Sequence, residues 1–175
     1  ESKIICLVRH PFDIFGSMEK IWRSTPMISK SAHKVGHTVG ERVHTWLTTK
    51  PIIPCIEYIY NVIQTQPDNV VFFRYEDLVE SPDEVMREIY KYTGLPYYKH
   101  DFNNIQQVTV ENDIESIYGS HIIRSKVEPP IQLNRNYLTL EACNMIEKLF
   151  GDFMEYMNYQ KLEAGENPKE TDEIQ

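Results

Sequence analysis

Residues 3–22 read KIICLVRHPFDIFGSMEKIW, a short apolar run that passes through one arginine into a helical pattern. Ile4 to Val8 form a continuous apolar stretch, which predicts a strand covered on both faces in a parallel sheet. Arg9 follows at its carboxyl end, where open α/β sheets hold their ligands. Pro11 suits a first helical turn, because the N–H it lacks has no intrahelical partner there, so a helix is expected from residue 10 or 11. Ile14, Phe15, Met18, Ile21 and Trp22 then recur at helical spacing and define one apolar face. Ser17 lies eight residues past Arg9, on the second turn. A guanidinium fork, a hydroxyl and the positive end of a helix together suit a phosphate. The same residues are equally compatible with Arg9 paired to a carboxylate and Ser17 on a solvated face.

Residues 69–96, NVVFFRYEDLVESPDEVMREIYKYTGLP, repeat the strand-then-helix logic. Val70 to Phe73 predict a second buried strand, with Arg74 to Leu78 at its carboxyl end. Ser81, Pro82 and Glu84 predict a capping box: Ser81 as N-cap, Pro82 in the first turn and Glu84 reaching back. The helix should run to Thr93 and stop at Gly94 in the left-handed conformation. Val85, Ile89 and Tyr92 supply its apolar face. Glu76 and Asp77 are read as satisfying backbone or arginine donors at the junction rather than as an acid and base pair.

Arg9-x-Pro11-x-Asp13-x-x-x-Ser17 directly after an apolar strand resembles the 3′-phosphate-binding motif of sulfotransferases that use 3′-phosphoadenosine 5′-phosphosulfate (PAPS). The strand–RYEDL–helix–GLP unit of residues 69–96 is similar to a second segment of that family, and the two occur in the family's order. The resemblance implies that Arg9 and Ser17 bind the 3′-phosphate and that Tyr75 lies on the adenine side. It also implies a basic, small-residue segment closing over the phosphate, for which Arg124, Ser125 and Lys126 are the candidates. The R-K-G and G-D-W-K patterns of cytosolic relatives are absent there. The family's amino-terminal phosphosulfate loop, and the catalytic base that precedes the arginine motif, have no counterpart among these residues. The sequence is therefore expected to be a carboxyl-terminal portion of a longer protein, with no catalytic residue assigned within it.

Elsewhere, 175 residues with 41% hydrophobic content can bury a core, and a single α/β domain over 1–160 is expected, followed by an acidic disordered tail over 161–175. Residues 23–50 read as a loop or lid with a short helix near 39–47. Residues 51–64 predict a helix packed on the sheet, and Thr139 caps a last helix bearing Leu140, Cys143, Ile146, Leu149, Phe150 and Phe153. Residues 97–137 are long and weakly patterned for a loop. Cys6, Cys55 and Cys143 sit among apolar residues and read as buried thiols of a reducing compartment. His33, His37 and His44 are spaced to share a helical face, yet lack the partners of a metal site. The net charge of −8 argues against nucleic acid, and no run is long enough to insert in a membrane. Positive charge nevertheless exceeds negative in the first fifty residues, which suits an anionic small ligand at one mouth.

The expected fold is three-layered α/β around a central parallel sheet, P-loop NTPase-like as in sulfotransferases. The expected function is transfer of a sulfuryl group from PAPS to a hydroxyl or amine of a small-molecule, carbohydrate or peptide acceptor. Adenosine 3′,5′-bisphosphate would be the product, no metal would be required, and the setting would be soluble and cytoplasmic. The alternative is a nonenzymatic nucleotide-binding or scaffold domain that keeps only the 3′-phosphate half-site.

Overall fold

The computed structural model describes residues 2–24, 36–49, 52–106, 108, 124–129 and 134–161. Residues 25–35 of the expected lid, His33 among them, and the acidic tail beyond Lys161 lie outside the described residues. The chain groups into two compact units, residues 1–9 with 66–131 and residues 10–65 with 132–175.

The first unit holds a two-stranded parallel sheet. β1 (Ile4–Val8) pairs with β2 (Val70–Arg74) in a register that runs from Ile4 opposite Val70 to Val8 opposite Arg74. The strand types follow from the β-branched and aromatic runs that the sequence places there. β2 passes without a gap into α4 (Tyr75–Glu80), and α5 (Pro82–Thr93) follows. Lys3 Nζ donates to the Tyr92 carbonyl and lies over the Tyr92 ring, tying the start of β1 to the end of α5. Gly94 ends α5 at φ 78°, and its N–H reaches back to the carbonyls of Tyr90 and Lys91.

Two expectations fail in this unit. Leu7 is 52% exposed and Ile4 and Ile5 are each 40% exposed, so β1 is not covered on both faces. The described residues give it one neighbouring strand and no full layer over these side chains. Nor does the capping box form: the Ser81 side chain makes no cap bond. Ser81 also terminates α4, where its N–H donates to the Asp77 carbonyl at 2.8 Å. Its backbone is thereby held at φ −133° and ψ 64°, away from the extended geometry that aims an N-cap hydroxyl at the helix.

The second unit is helical: α1 (Pro11–Ser24), α2 (Val39–Thr48), α3 (Ile52–Thr65), a 3-10 turn (Asn134–Tyr137) and α6 (Leu140–Tyr156). α6 presents Ala142, Cys143, Ile146, Phe150, Phe153 and Met154 to the core, and Phe15 of α1 meets Phe150 edge-on at 6.0 Å. Thr139 caps α6 as expected, accepting from the Ala142 N–H at 3.3 Å. α3, expected to lie on the sheet, packs in this unit against α2 and α6. A reciprocal capping box forms at α2: Thr38 accepts from the Glu41 N–H, and Glu41 accepts from the N–H groups of Thr38 and His37. Those N–H donors hold the Glu41 carboxyl below the usual range. Because Thr38 is the cap, His37 precedes the helix and shares no helical face with His44.

α1 and α2 are joined by a buried ion pair. Arg42 donates to both oxygens of Glu19, from Nε at 2.8 Å and from Nη2 at 2.6 Å, while Nη1 reaches the His37 carbonyl at 2.7 Å. Glu19 is fully buried and also accepts from Arg23 Nε at 2.8 Å. A buried carboxylate is tolerated when its lone pairs are filled in this way, and removing one partner strands the other. Arg42→Met should therefore cost roughly 3–5 kcal/mol in urea unfolding; a loss below about 1 kcal/mol would show that the pair does not hold the two helices.

Cysteine burial departs from expectation at two positions. Cys143 is buried, Cys6 intermediate and Cys55 exposed, because Cys55 falls on the solvent side of α3 while Ile56 and Val62 face inward. Burial pushes the Cys143 thiol up to about 11, leaving roughly one thiolate in a thousand at pH 8. A maleimide at pH 8 should label Cys55 quickly and Cys143 only after unfolding; comparable rates at both would contradict the assignment.

Candidate functional site

The parallel register places the two motif segments side by side. Since Val8 pairs with Arg74, the next residues along, Arg9 and Tyr75, leave the sheet together at its carboxyl edge. The Arg9 guanidinium carbon lies 4.9 Å from the centroid of the Tyr75 ring, within the range of a cation–π contact. No carboxylate among the described residues pairs with Arg9, which sets aside, for those residues, the carboxylate reading the sequence left open. The guanidinium is thus oriented by an aromatic face, a contact that leaves its N–H donors available in a way that a carboxylate would not. Tyr75 is the first residue of α4, and Asp77, in the same first turn, pairs with Arg74 at 3.8 Å, the structural role expected for that carboxylate.

Arg124, Ser125 and Lys126 are exposed and belong to the same unit. The Ile105 N–H donates to the Ser125 carbonyl and the Val127 N–H to the Phe102 carbonyl, each at 2.8 Å, so this segment is laid against residues 102–105. The described hydrogen bonds and ion pairs join none of the three to Arg9 or Tyr75.

Ser17 belongs to the helical unit, half-buried on α1. The start of that helix is fixed by His10, whose Nδ1 accepts from the Phe12 N–H at 3.2 Å while its Nε2 faces the Gln160 carbonyl at 3.0 Å. Nδ1 as acceptor makes Nε2 the protonated nitrogen, the donor to Gln160. Asp13, known from the sequence only as a motif position, is buried. It accepts from the Arg135 N–H and from Arg135 Nη2, each at 3.2 Å. Neither Arg135 nor the long-range contact of His10 with Gln160 was expected: these pairs are 122 and 150 residues apart, and no local pattern marks them.

Comparison with known proteins gives the family. The model of the sulfotransferase family matches residues 1–99, more than half of the chain and both motif segments. The chain belongs to the sulfotransferase family. It is also similar to carbohydrate sulfotransferase 4 of Mus musculus, 23% identical over 171 residues, which cover 92% of this chain and 42% of that protein. This sulfotransferase-family chain thus spans about two-fifths of the length of that curated relative. No solved structure is a significant match. Among the described residues, no group of three His, Cys, Asp or Glu side chains is placed to hold a metal ion, and no helix is long and apolar enough to cross a membrane.

The contact between Arg9 and Tyr75 has a measurable strength. Tyr75→Leu removes the ring face and should lower stability by about 0.5–1 kcal/mol, whereas Tyr75→Phe should keep most of it. A double-mutant cycle with Arg9→Ala checks this. A coupling energy indistinguishable from zero would mean that the ring does not hold the arginine.

Proposed function

We propose that this chain contributes the 3′-phosphate side of a PAPS site in a sulfotransferase acting on a carbohydrate hydroxyl. The observation that carries the reading is the pairing of Arg9 with Tyr75 at the carboxyl edge of the parallel sheet, which joins the arginine of one family motif to the tyrosine of the other. Arg9 has the donor set for a phosphate: a planar fork, oriented by a ring and, among the described residues, not committed to a carboxylate. Ser17, eight residues along the same motif, adds a hydroxyl, and the exposed Arg124–Ser125–Lys126 segment adds positive charge from the strand unit. The carbohydrate acceptor rests on the named relative, and the three-layer, P-loop-like architecture rests on the family.

PAPS, when bound, supplies the sulfuryl group that is transferred. The residues of this chain bind and orient it: Arg9 neutralises phosphate charge, Ser17 fixes its rotation, and Tyr75 limits the movement of Arg9. Holding a donor in one orientation for in-line displacement is a large part of the catalysis of such transfers. None of these residues is positioned as the acceptor's base.

Calorimetric titration of the longest natural form of the protein tests the reading. Wild type should bind adenosine 3′,5′-bisphosphate much more tightly than adenosine 5′-phosphate. Arg9→Ala should remove about 1.5–3 kcal/mol of that preference, and Ser17→Ala about 0.5–1.5 kcal/mol. Equal losses for both nucleotides in Arg9→Ala would reject the assignment.

A further inference from the structure

One face of α1 is built to receive the 3-10 turn Asn134–Tyr137. A Cβ on Gly16 would lie 2.0 Å from the Asn134 carbonyl oxygen, so only glycine permits the turn's backbone to settle there. One turn earlier, Asp13 accepts the Arg135 N–H and Nη2. Further along, Lys20 and Arg23 lie over the Tyr137 ring at 6.0 and 5.7 Å, and Arg23 Nη2 faces the Tyr137 carbonyl at 3.4 Å. Residues 13, 16, 20 and 23 form a single stripe along the helix. Ser17 flanks it, one turn after Asp13 and one residue after Gly16.

The arrangement of Arg135 is specific to Asp13. Its Nε is buried and finds no hydrogen-bond acceptor among the described residues, while Nη2 and the backbone N–H both go to the one carboxylate. A buried donor left unmade is costly, so Arg135 is not seated by its own best hydrogen bonding. Its charge opposes that of Asp13, and Asp13 is a buried carboxylate one turn from the serine assigned to a phosphate.

We propose that Arg135 is a positioning residue for 3′-phosphate recognition: by pairing with Asp13 it fixes the Ser17 turn of α1 and cancels a negative charge that would otherwise repel the ligand's phosphate. This inference rests on the reading of Ser17 given above. Arg135 acts through Asp13 and α1, not by touching the nucleotide. The charge argument makes the two partners unequal. Removing Arg135 alone leaves Asp13 uncompensated beside the phosphate, whereas removing both charges does not.

The test measures, on the longest natural form of the protein, the ratio of the dissociation constants for adenosine 5′-phosphate and adenosine 3′,5′-bisphosphate, together with thermal stability. Arg135→Gln should lower that ratio about tenfold. The double variant Asp13→Asn with Arg135→Gln should return it to within about threefold of wild type, although its melting temperature stays low. Arg135→Lys, which keeps the charge and serves if the glutamine variant does not fold, should keep the ratio. A purely structural role predicts that both affinities fall together with stability, that the ratio is unchanged in Arg135→Gln, and that the second substitution restores nothing; that result overturns the proposal. A tenfold fall in Arg135→Lys also overturns it. A wild-type ratio near one instead removes the 3′-phosphate reading itself, and the proposal with it.

Discussion

Parallel pairing of β1 with β2 is the constraint on which the candidate site depends. Parallel strands cannot be joined by a hairpin, so the chain must leave β1 at its carboxyl end and return to the amino end of β2 through a long connection. Here that connection contains α1, α2 and α3. One consequence is that both strands end at the same edge of the sheet, which brings residues 9 and 75 together although 66 positions separate them. An antiparallel pair would have put the two motif residues at opposite ends. The register then does the fine placement: a slip of one residue would exchange the faces of every side chain on the strand and move Arg9 away from the Tyr75 ring.

α1 shows how a short helix can meet several demands at once. Its first turn is set by Pro11 and the His10 cap, Phe12 and Phe15 enter the core, and Glu19 binds Arg42 from α2. Its remaining side receives the 3-10 turn over Asp13 and Gly16. Ile14, Lys20, Arg23 and Ser24 stay exposed, and Ser17 is half-buried. A buried Glu19 is an unlikely choice for stability alone, since a well-packed apolar pair in its place often does as well. What the ion pair adds is geometry: a bidentate fork accepts one orientation of α2 against α1, where an apolar contact would accept several.

The local grammar of the sequence was largely readable, and its failures have physical causes. The strands at 4–8 and 70–74, the helices beginning at Pro11 and Pro82, the Gly94 stop and the Thr139 cap all depend on residues within a few positions of one another. Thr38-x-x-Glu41 was as legible a capping box as Ser81-x-x-Glu84, yet only the first forms. The difference lies in the preceding residues, because Ser81 must also close α4 and cannot hold the extended backbone of an N-cap. Burial of β1 was overestimated for a different reason. An apolar run states what a strand needs, not whether the described residues supply it. The ion pairs from Asp13 to Arg135 and from Glu19 to Arg42 were not readable at all, since their partners lie 122 and 23 residues away and every local pattern is compatible with either residue on a solvated surface.

The electrostatics of the α1 amino terminus explain why such a pair is needed where it stands. A carboxylate in the first turn is favourable to the helix, because it meets the positive end of the macrodipole. It is unfavourable to an anionic ligand bound close by, since two negative charges repel. Residues one turn apart on a helix are separated by about 6 Å. At an effective dielectric of roughly 20, like unit charges at that distance repel by at most about 3 kcal/mol, and solvent screening beside the half-buried Ser17 brings this towards the roughly 1.4 kcal/mol of a tenfold change. That is comparable to the whole contribution expected of a charged hydrogen bond from Arg9, so an unpaired Asp13 would offset the affinity the motif provides. With the phosphate at Ser17 as proposed, seating Arg135 on Asp13 would remove that repulsion without giving up a first-turn carboxylate, and Gly16 lets the backbone of the turn come close enough to do it.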